Sequence, residues 1–355
     1  MSEPNVKLGG QGGLRRLWNG PNFRWNLFLL ILLTVECAVF GAANEKFLSL
    51  PRVFTAANDF LPICMISIFV TFVMITGGID IQVSSIVGLT SIIIGVAWQD
   101  FGLNIWAAVA VAVVAAALCG ALSGFFIAYC GVQAMVVTLG GSFLYTGLAL
   151  LVSNLSSTEA YKGISGFPDS FKALTKIKLF DFIPLQIVIF LAMVVVAHLL
   201  LHRTKYGRKI YLVGVNPSAA EYSGVNSRLV IMSTYILSAV SAAVAGIIMT
   251  SYLGTAKSDL GGSLTMNIIT ACVLGGTLST GGKGSVLGTA MAALAIGLLR
   301  FGMPLCFKIQ AQYLDIPVGV LLVVVVVGRA VAGNPNVAAW FGRLRGRGKA
   351  SKAGA

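Results

Sequence analysis

The sequence predicts an all-α polytopic membrane protein of about ten transmembrane helices, some of them glycine-broken or re-entrant, and three observations predict it. Of 355 residues, 57% are hydrophobic and 10% charged, where a soluble domain carries about 25% charged residues. Several apolar runs reach the ~20 residues needed to cross ~30 Å of hydrocarbon. The basic residues gather at the two ends and in one internal loop, not along one face, so the net charge of +13 points to membrane lipid and topology, not to nucleic acid.

In chain order, a basic N-terminal tail (1–24) with Lys7, Arg15, Arg16 and Arg24 precedes the apolar run Trp25 to Ala43. That run is too long for a cleaved signal segment, so it is a retained first helix. Further spans are expected at Phe60 to Thr76, Ile81 to Trp98, Ile105 to Tyr129, Gln133 to Ser153, Ile183 to Leu201, Leu229 to Gly254, Ser263 to Thr280, Ser285 to Met303 and Ile309 to Val331. These form a transmembrane domain over 25–332, followed by a basic tail (333–355) whose glycine- and alanine-rich composition reads as disordered, as does Gly9 to Gly13. Residues Asn154 to Phe182 read as a surface loop.

With the N-terminus in the cytoplasm, ten crossings put sixteen of the 25 basic residues inside and nine outside, and leave both termini cytoplasmic. Lys162, Lys172, Lys176 and Lys178, all in the 154–182 connection, are the main departure from that bias.

Gly77-Gly78-Ile79-Asp80 with Ser85-Ile86-Val87-Gly88 is echoed by Gly281-Gly282-Lys283-Gly284 with Ser285-Val286-Leu287-Gly288. An inverted repeat with glycine-interrupted segments beside a substrate route is one reading; an ordinary glycine-rich membrane turn is the other. Gly120/Gly124 and Gly284/Gly288 have the G-x-x-x-G spacing that lets helices pack closely in lipid.

The chemistry-bearing residues exclude more than they propose. The nearest approach to a P-loop, Thr277 to Gly284, lacks glycine at its first position and a hydroxyl at its last. His198 and His202 share a helix face without the glutamate of a zinc hydrolase, and no nucleophile elbow occurs. The six cysteines, Cys37, Cys64, Cys119, Cys130, Cys272 and Cys306, lie in apolar stretches without C-x-x-C spacing and read as packing residues. No enzyme, metal or cofactor is expected. Glu36 near mid-span and Asp80 at a break leave open an ion-coupled secondary transporter of a small polar solute. A non-transporting membrane scaffold is a third reading.

The most informative polar stretch is the basic loop 203–228. Within it Asn216 can cap, and Pro217 can start, a short helix that continues through Tyr222 and ends at Gly224. A loop that only set topology would need no capped helix, so this one is read as a docking surface for a partner that supplies energy.

At that loop the sequence resembles the permeases of ribose-type ATP-binding-cassette importers. Gly207, Arg208, Ile210, Tyr211, Val213, Gly214, Asn216, Ala219, Ala220, Ser223, Gly224 and Val225 match the run that precedes the seventh span of that family. Gly77-Gly78-Ile79-Asp80 with Ser84 and Ser85, Val137-Thr138-Leu139-Gly140, and Ala271 to Gly276 with Gly281-Gly282 match as well, over about residues 25–332. Lys257 to Gly261 and the valine-rich last span are most similar to the autoinducer-2 import branch.

The resemblance implies a multi-pass protein of the bacterial inner membrane that carries autoinducer-2 or a related small sugar. It also implies three kinds of partner: two cytoplasmic ATP-binding subunits, a second permease that is identical or a paralogue, and a periplasmic substrate-binding protein. Gly207, Arg208, Lys209, Gly214, Asn216, Ala219, Ala220 and Gly224 would then couple to the ATPase. The polar groups beside helix breaks, Asp80, Ser84, Ser85, Thr138 and Asn267, are the expected substrate route.

Overall fold

A computed structural model describes residues 21–159, 162–179, 183–262 and 264–333. The two tails lie outside the described residues apart from 21–24, which open the first helix, and 333, which ends the last.

The ten expected spans correspond to ten apolar helices among the described residues. Seven are long and apolar enough to cross a membrane: α1 (Pro21–Ala43), α2 (Leu50–Ile75), α4 (Ile105–Ala128), α5 (Ala134–Ser153), α7 (Leu185–Arg203), α10 (Ser227–Leu253) and α12 (Val286–Phe307). Three are shorter: α3 (Val83–Gln99), α11 (Leu264–Leu274) and α13 (Asp315–Gly333), whose apolar part is 315–327. The remaining helices lie outside the spans: α6 (Asp169–Lys176), α8 (Lys205–Val215) and α9 (Pro217–Tyr222).

Helix α2 is the central post, buried without a break from Phe60 to Ile75, and α10, α12, α11 and α7 pack around it. The closest pairing is α4 on α10. Ala108, Ala112, Ala116, Gly120 and Gly124 form its buried ridge at four-residue spacing. A Cβ at Gly120 would stand 2.6 Å from the Tyr235 carbonyl oxygen, and one at Gly124 2.9 Å from the Met232 Cα, so glycine is what lets these backbones approach. In lipid such proximity yields the dispersion contact that a hydrophobic drive supplies in water. By contrast, α5 buries only the stripe Thr138, Gly141, Tyr145, Ala149 and Ser153, against α3.

Contacts fix which helix ends share a face. Ile75, Gly214 and Gly282 meet at one face, where α2, α11 and the start of α12 turn. At the opposite face, Gln99 and Asp100 reach Ser157 and Thr158, and β1 (Ile164–Ser165) pairs antiparallel with β4 (Thr255–Ala256). There too, β2 (Lys178–Leu179) pairs with β3 (Ile183–Pro184). The echoed segments 77–88 and 281–288 thus turn at the same face, each between an arriving and a departing helix.

The differences from expectation have local causes. Helix α2 starts ten residues before Phe60, because Pro51 opens a helix through Arg52, Asn58 and Asp59, which interrupt the apolar run. Helix α11 stops at Leu274, six residues early, where glycines 275, 276, 281 and 282 take over. The last span starts at Asp315, not Ile309. The 154–182 connection is more than a surface loop: Phe167 and Phe171 are buried, Phe167 lies 5.0 Å from the Trp98 ring, and Phe171 O accepts the Ser251 hydroxyl at 2.7 Å. All six cysteines are unpaired.

Candidate functional site: a polar cavity behind two glycine breaks

The loop 203–228 folds into two helices, one more than its sequence suggests. Thr204 caps α8 by accepting the Gly207 N–H at 3.2 Å, and a Cβ at Gly207 would overlap the Leu201 carbonyl, so glycine allows the tight corner after α7. Gly207, Ile210 and Val213 bury one face of α8, while Arg208 and Lys209 are exposed. Asn216 then caps α9, its Oδ1 accepting the Ala219 N–H at 3.0 Å. Ala220 is buried and Ala219 exposed. Gly224, at φ +77°, occupies the left-handed region that favours glycine after a helix.

The C-terminal end of α8 lies directly on the two breaks. A Cβ at Gly214 would overlap the Ile75 carbonyl oxygen and stand 2.7 Å from the Gly282 nitrogen; one at Gly281 would stand 2.7 Å from the Gly214 oxygen and 3.0 Å from the Gly77 nitrogen. Gly282 N–H donates to Ile75 O at 2.8 Å. Tyr211 adds a side-chain tie, donating to Gly284 O at 2.8 Å; burial pushes its phenol up to about 12, so it keeps its proton at any working pH.

From that contact the first break, 76–82, reaches into the bundle, and four consecutive residues each bind a different helix. Ile79 O accepts from Thr138 of α5 at 3.0 Å, and Asp80 Oδ2 from Ser238 of α10 at 2.7 Å. Ile81 O accepts from Thr265 of α11 at 3.1 Å, and Gln82 Oε1 from Ser123 of α4 at 2.7 Å. The backbone polar groups freed by breaking a helix in lipid must find such partners. Asp80 and Gln82 are fully buried.

Beyond the break lies a cavity of about 320 Å³ between α3, α5, the segment 258–262 and the start of α11 at Thr265 and Met266. Its polar lining is Ser84, Ser85, Ser142, Thr146, Ser258, Thr265 and Asp259. Ser85 Oγ is 3.1 Å from Ser142 Oγ and accepts from Thr146 at 2.9 Å, and Ser84 bonds Thr265. One wall is nearly all backbone. The chain descends from β4 antiparallel to α3, so close that a Cβ at Gly88 would overlap Ser258 O and one at Gly261 would overlap Ser84 O. A cavity dressed with hydroxyls and one carboxylate suits a neutral, hydroxyl-rich solute, which can replace water's hydrogen bonds one for one.

Of the residues expected on the substrate route, the structure brings Ser84 and Ser85 to this cavity. Asp80 and Thr138 sit behind it as ties of the break. Asn267 is elsewhere, its Oδ1 accepting from Arg300 at 3.2 Å, with Arg300 also paired to Asp315 at 2.8 Å. Sequence reasoning missed Ser142, Thr146, Thr265 and the lining role of Asp259. The four-residue spacing of Thr138, Ser142 and Thr146 was the available signal: a hydroxyl stripe on an otherwise apolar helix.

A family profile described as the branched-chain amino acid transport system / permease component matches residues 52–326. Among curated proteins, the chain is 41% identical over 308 residues to the autoinducer 2 import system permease protein LsrD of Enterobacter sp. (strain 638), covering 87% of this chain and 93% of that one. It is 38% identical over 326 residues to the LsrD of Yersinia pseudotuberculosis serotype O:3 (strain YPIII) and 36% over 327 residues to that of Photorhabdus luminescens, in both cases covering 92% of this chain and 97% of the relative. No solved structure gives a significant match.

Proposed function

Because the chain belongs to the family of branched-chain amino acid transport system permease components, a family of membrane transport subunits and not of enzymes, we propose that it is the membrane-spanning subunit of an ATP-binding-cassette importer. Its cargo in this reading is autoinducer-2 or a related small sugar, carried across the bacterial inner membrane with energy from two separate cytoplasmic ATPase subunits. A periplasmic binding protein delivers the substrate, and a second permease, identical or a paralogue, completes the pathway. Relatives at 36–41% identity over most of the chain support the substrate class.

The observation that carries the mechanism is the backbone contact of α8 with both glycine breaks. Gly214 is wedged between Ile75 and Gly282, and the break at 76–82 continues into the cavity wall through Ile81 and Ser84. A force applied to α8 therefore reaches the cavity through rigid backbone, without an intervening side-chain rotamer. The outer surface of α8 and α9 supplies the place to apply it: Arg208 and Lys209 are exposed there, as are Val215 and Tyr222, at 74% and 94%. Apolar and basic groups together suit a soluble partner better than they suit water.

In this reading α8 and α9 face the cytoplasm, together with Arg203, Lys205, Arg228 and Lys283, and both termini lie on that side, in keeping with the positive-inside bias. ATP-driven closure of the motor shifts α8, the two breaks move together, and the cavity changes the side to which it opens. The permease makes and breaks no covalent bond.

Vesicles containing this chain, its ATPase and a binding protein test the proposal. Arg208→Glu with Lys209→Glu should leave ATP hydrolysis running while uptake falls at least tenfold, and cross-linkers placed at 216–224 should capture the ATPase. Undiminished uptake in the double variant overturns it. The ion-coupled alternative rests on Glu36 Oε2 and Asp80 Oδ1, buried oxygens without a hydrogen-bond partner; it requires that a protonophore abolish uptake while ATP persists and vanadate does nothing.

A further inference from the structure

A second cavity, of about 450 Å³, opens on the face opposite α8 and α9. Its lining includes Leu50 and Pro51 at the start of α2, Pro184 and Gln186 at the start of α7, and Lys176 and Lys178. No carboxylate lines it among the described residues. Helices α2 and α7, 26 and 19 residues long, both begin here, and neither has a side chain capping its first turn. The two helix N-termini present partial positive charge, although the Arg52 and Leu185 N–H groups are already bonded to Ser49 O and Ile177 O, and two lysines add full charges, so the cavity has the electrostatics of an anion site.

Gln186 supplies the independent sign that something polar is held there. Its side chain is 1% exposed, lines the cavity, and neither its oxygen nor its nitrogen has a hydrogen-bond partner. A buried amide left unsatisfied costs about 1–3 kcal/mol, a cost that a ligand with both acceptor and hydroxyl oxygens would remove. The surroundings are apolar on the membrane side: Phe54 lines the cavity, and Leu48 and Leu50 are 60% and 50% exposed. An anion held between basic groups and a greasy helix face is the chemistry of a phospholipid headgroup.

The geometry points to a bound anionic phospholipid whose phosphate lies between Lys176, Lys178 and the N-termini of α2 and α7, with Gln186 on its glycerol or headgroup oxygens. This occupant also accounts for positive charge in the 154–182 connection, on the face where the charge bias disfavours it.

The test uses the purified full-length chain in neutral detergent, given phosphatidylglycerol or phosphatidylcholine, with retained lipid counted by native mass spectrometry. One phosphatidylglycerol per chain should be held at least fivefold more strongly than phosphatidylcholine. Lys176→Glu with Lys178→Glu should abolish that preference. Gln186→Leu should weaken it without lowering the melting temperature, and Lys162→Gln, a control in the same connection, should leave it intact. Equal retention of the two lipids, or a preference that survives the double variant, overturns the proposal. So does inorganic phosphate raising the melting temperature as much as the lipid does, which would mark a free-anion site. A double variant that keeps its lipid preference but loses uptake would assign these lysines to a protein partner, and also overturns it.

Discussion

Replacing Gly214 with valine tests the contact on which the proposed coupling depends. The new Cβ would overlap the Ile75 carbonyl oxygen and lie 2.7 Å from the Gly282 nitrogen, where ordinary contact begins near 3.4 Å. The 2.8 Å bond from Gly282 N–H to Ile75 O runs through the same space. Helix α8 must therefore lift by roughly 0.7 Å or more, enough to forfeit a large part of the dispersion contact beneath it. Overpacking of this kind costs about 1–3 kcal/mol, and a lost hydrogen bond adds about 1 kcal/mol. Because each 1.4 kcal/mol misplaced in a gating equilibrium changes a rate about tenfold, uptake into vesicles containing the ATPase should fall at least tenfold. The melting temperature should drop by several degrees, and ATP hydrolysis should continue. Gly140→Ala is the matched control, since a Cβ there meets nothing within 4 Å. A Gly214→Val protein with unchanged uptake and melting temperature would refute the idea that α8 rests on the breaks.

Three further outcomes follow from the same geometry. Asn216→Ala removes the cap on α9 and should cost about 1 kcal/mol locally, seen as faster proteolysis within 216–224 while the spans stay protected. Ser84→Ala with Thr265→Ala should raise the half-saturating substrate concentration several-fold without changing ATP hydrolysis or the amount of protein in the membrane; an unchanged value would remove that cavity from the route. Desolvation alone would raise the Asp100 carboxyl, but hydrogen bonds from the Ser157 N–H and hydroxyl outweigh it and hold it below the usual carboxylate range. A depressed folded value stabilises above the unfolded pKa and is lost as pH falls through the folded one. Protection of the amides at 155–158, taken relative to their intrinsic exchange rate at each pH, should therefore persist at neutral pH and fall only below about pH 4, whereas Asp100→Asn should lower it throughout.

Seven of the ten apolar helices were legible because lipid forces a simple code, in which about twenty apolar residues in a row declare themselves whatever their neighbours do; the three shorter ones showed as apolar runs between glycine-rich or polar breaks. Boundaries failed where the code is interrupted for tertiary reasons. Arg52, Asn58 and Asp59 made the first ten residues of α2 look like loop, and glycines 275 and 276 end α11 inside an apolar run. Asn216, Pro217 and Gly224 revealed α9, since capping is local chemistry, whereas α8 depends on the fit of Gly207 against Leu201 and of Gly214 against Ile75, which sequence spacing does not encode. The cavity was half visible. Ser84 and Ser85 follow a break and attract notice, but Asp259 and Thr265 join them only because the chain doubles back along α3. Asp80 attracts notice as a carboxylate at a break, and what its sequence position does not reveal is that one of its oxygens anchors the break to Ser238.

The wall formed where Ser258 and Gly261 lie against Gly88 and Ser84 has a consequence for how the cavity could change its bore. Side chains can swivel and so adjust an opening by degrees, but two apposed main chains have no such joints. Their spacing changes only when one strand of the pair is carried bodily away from the other, which makes the aperture a two-position shutter instead of a sliding iris.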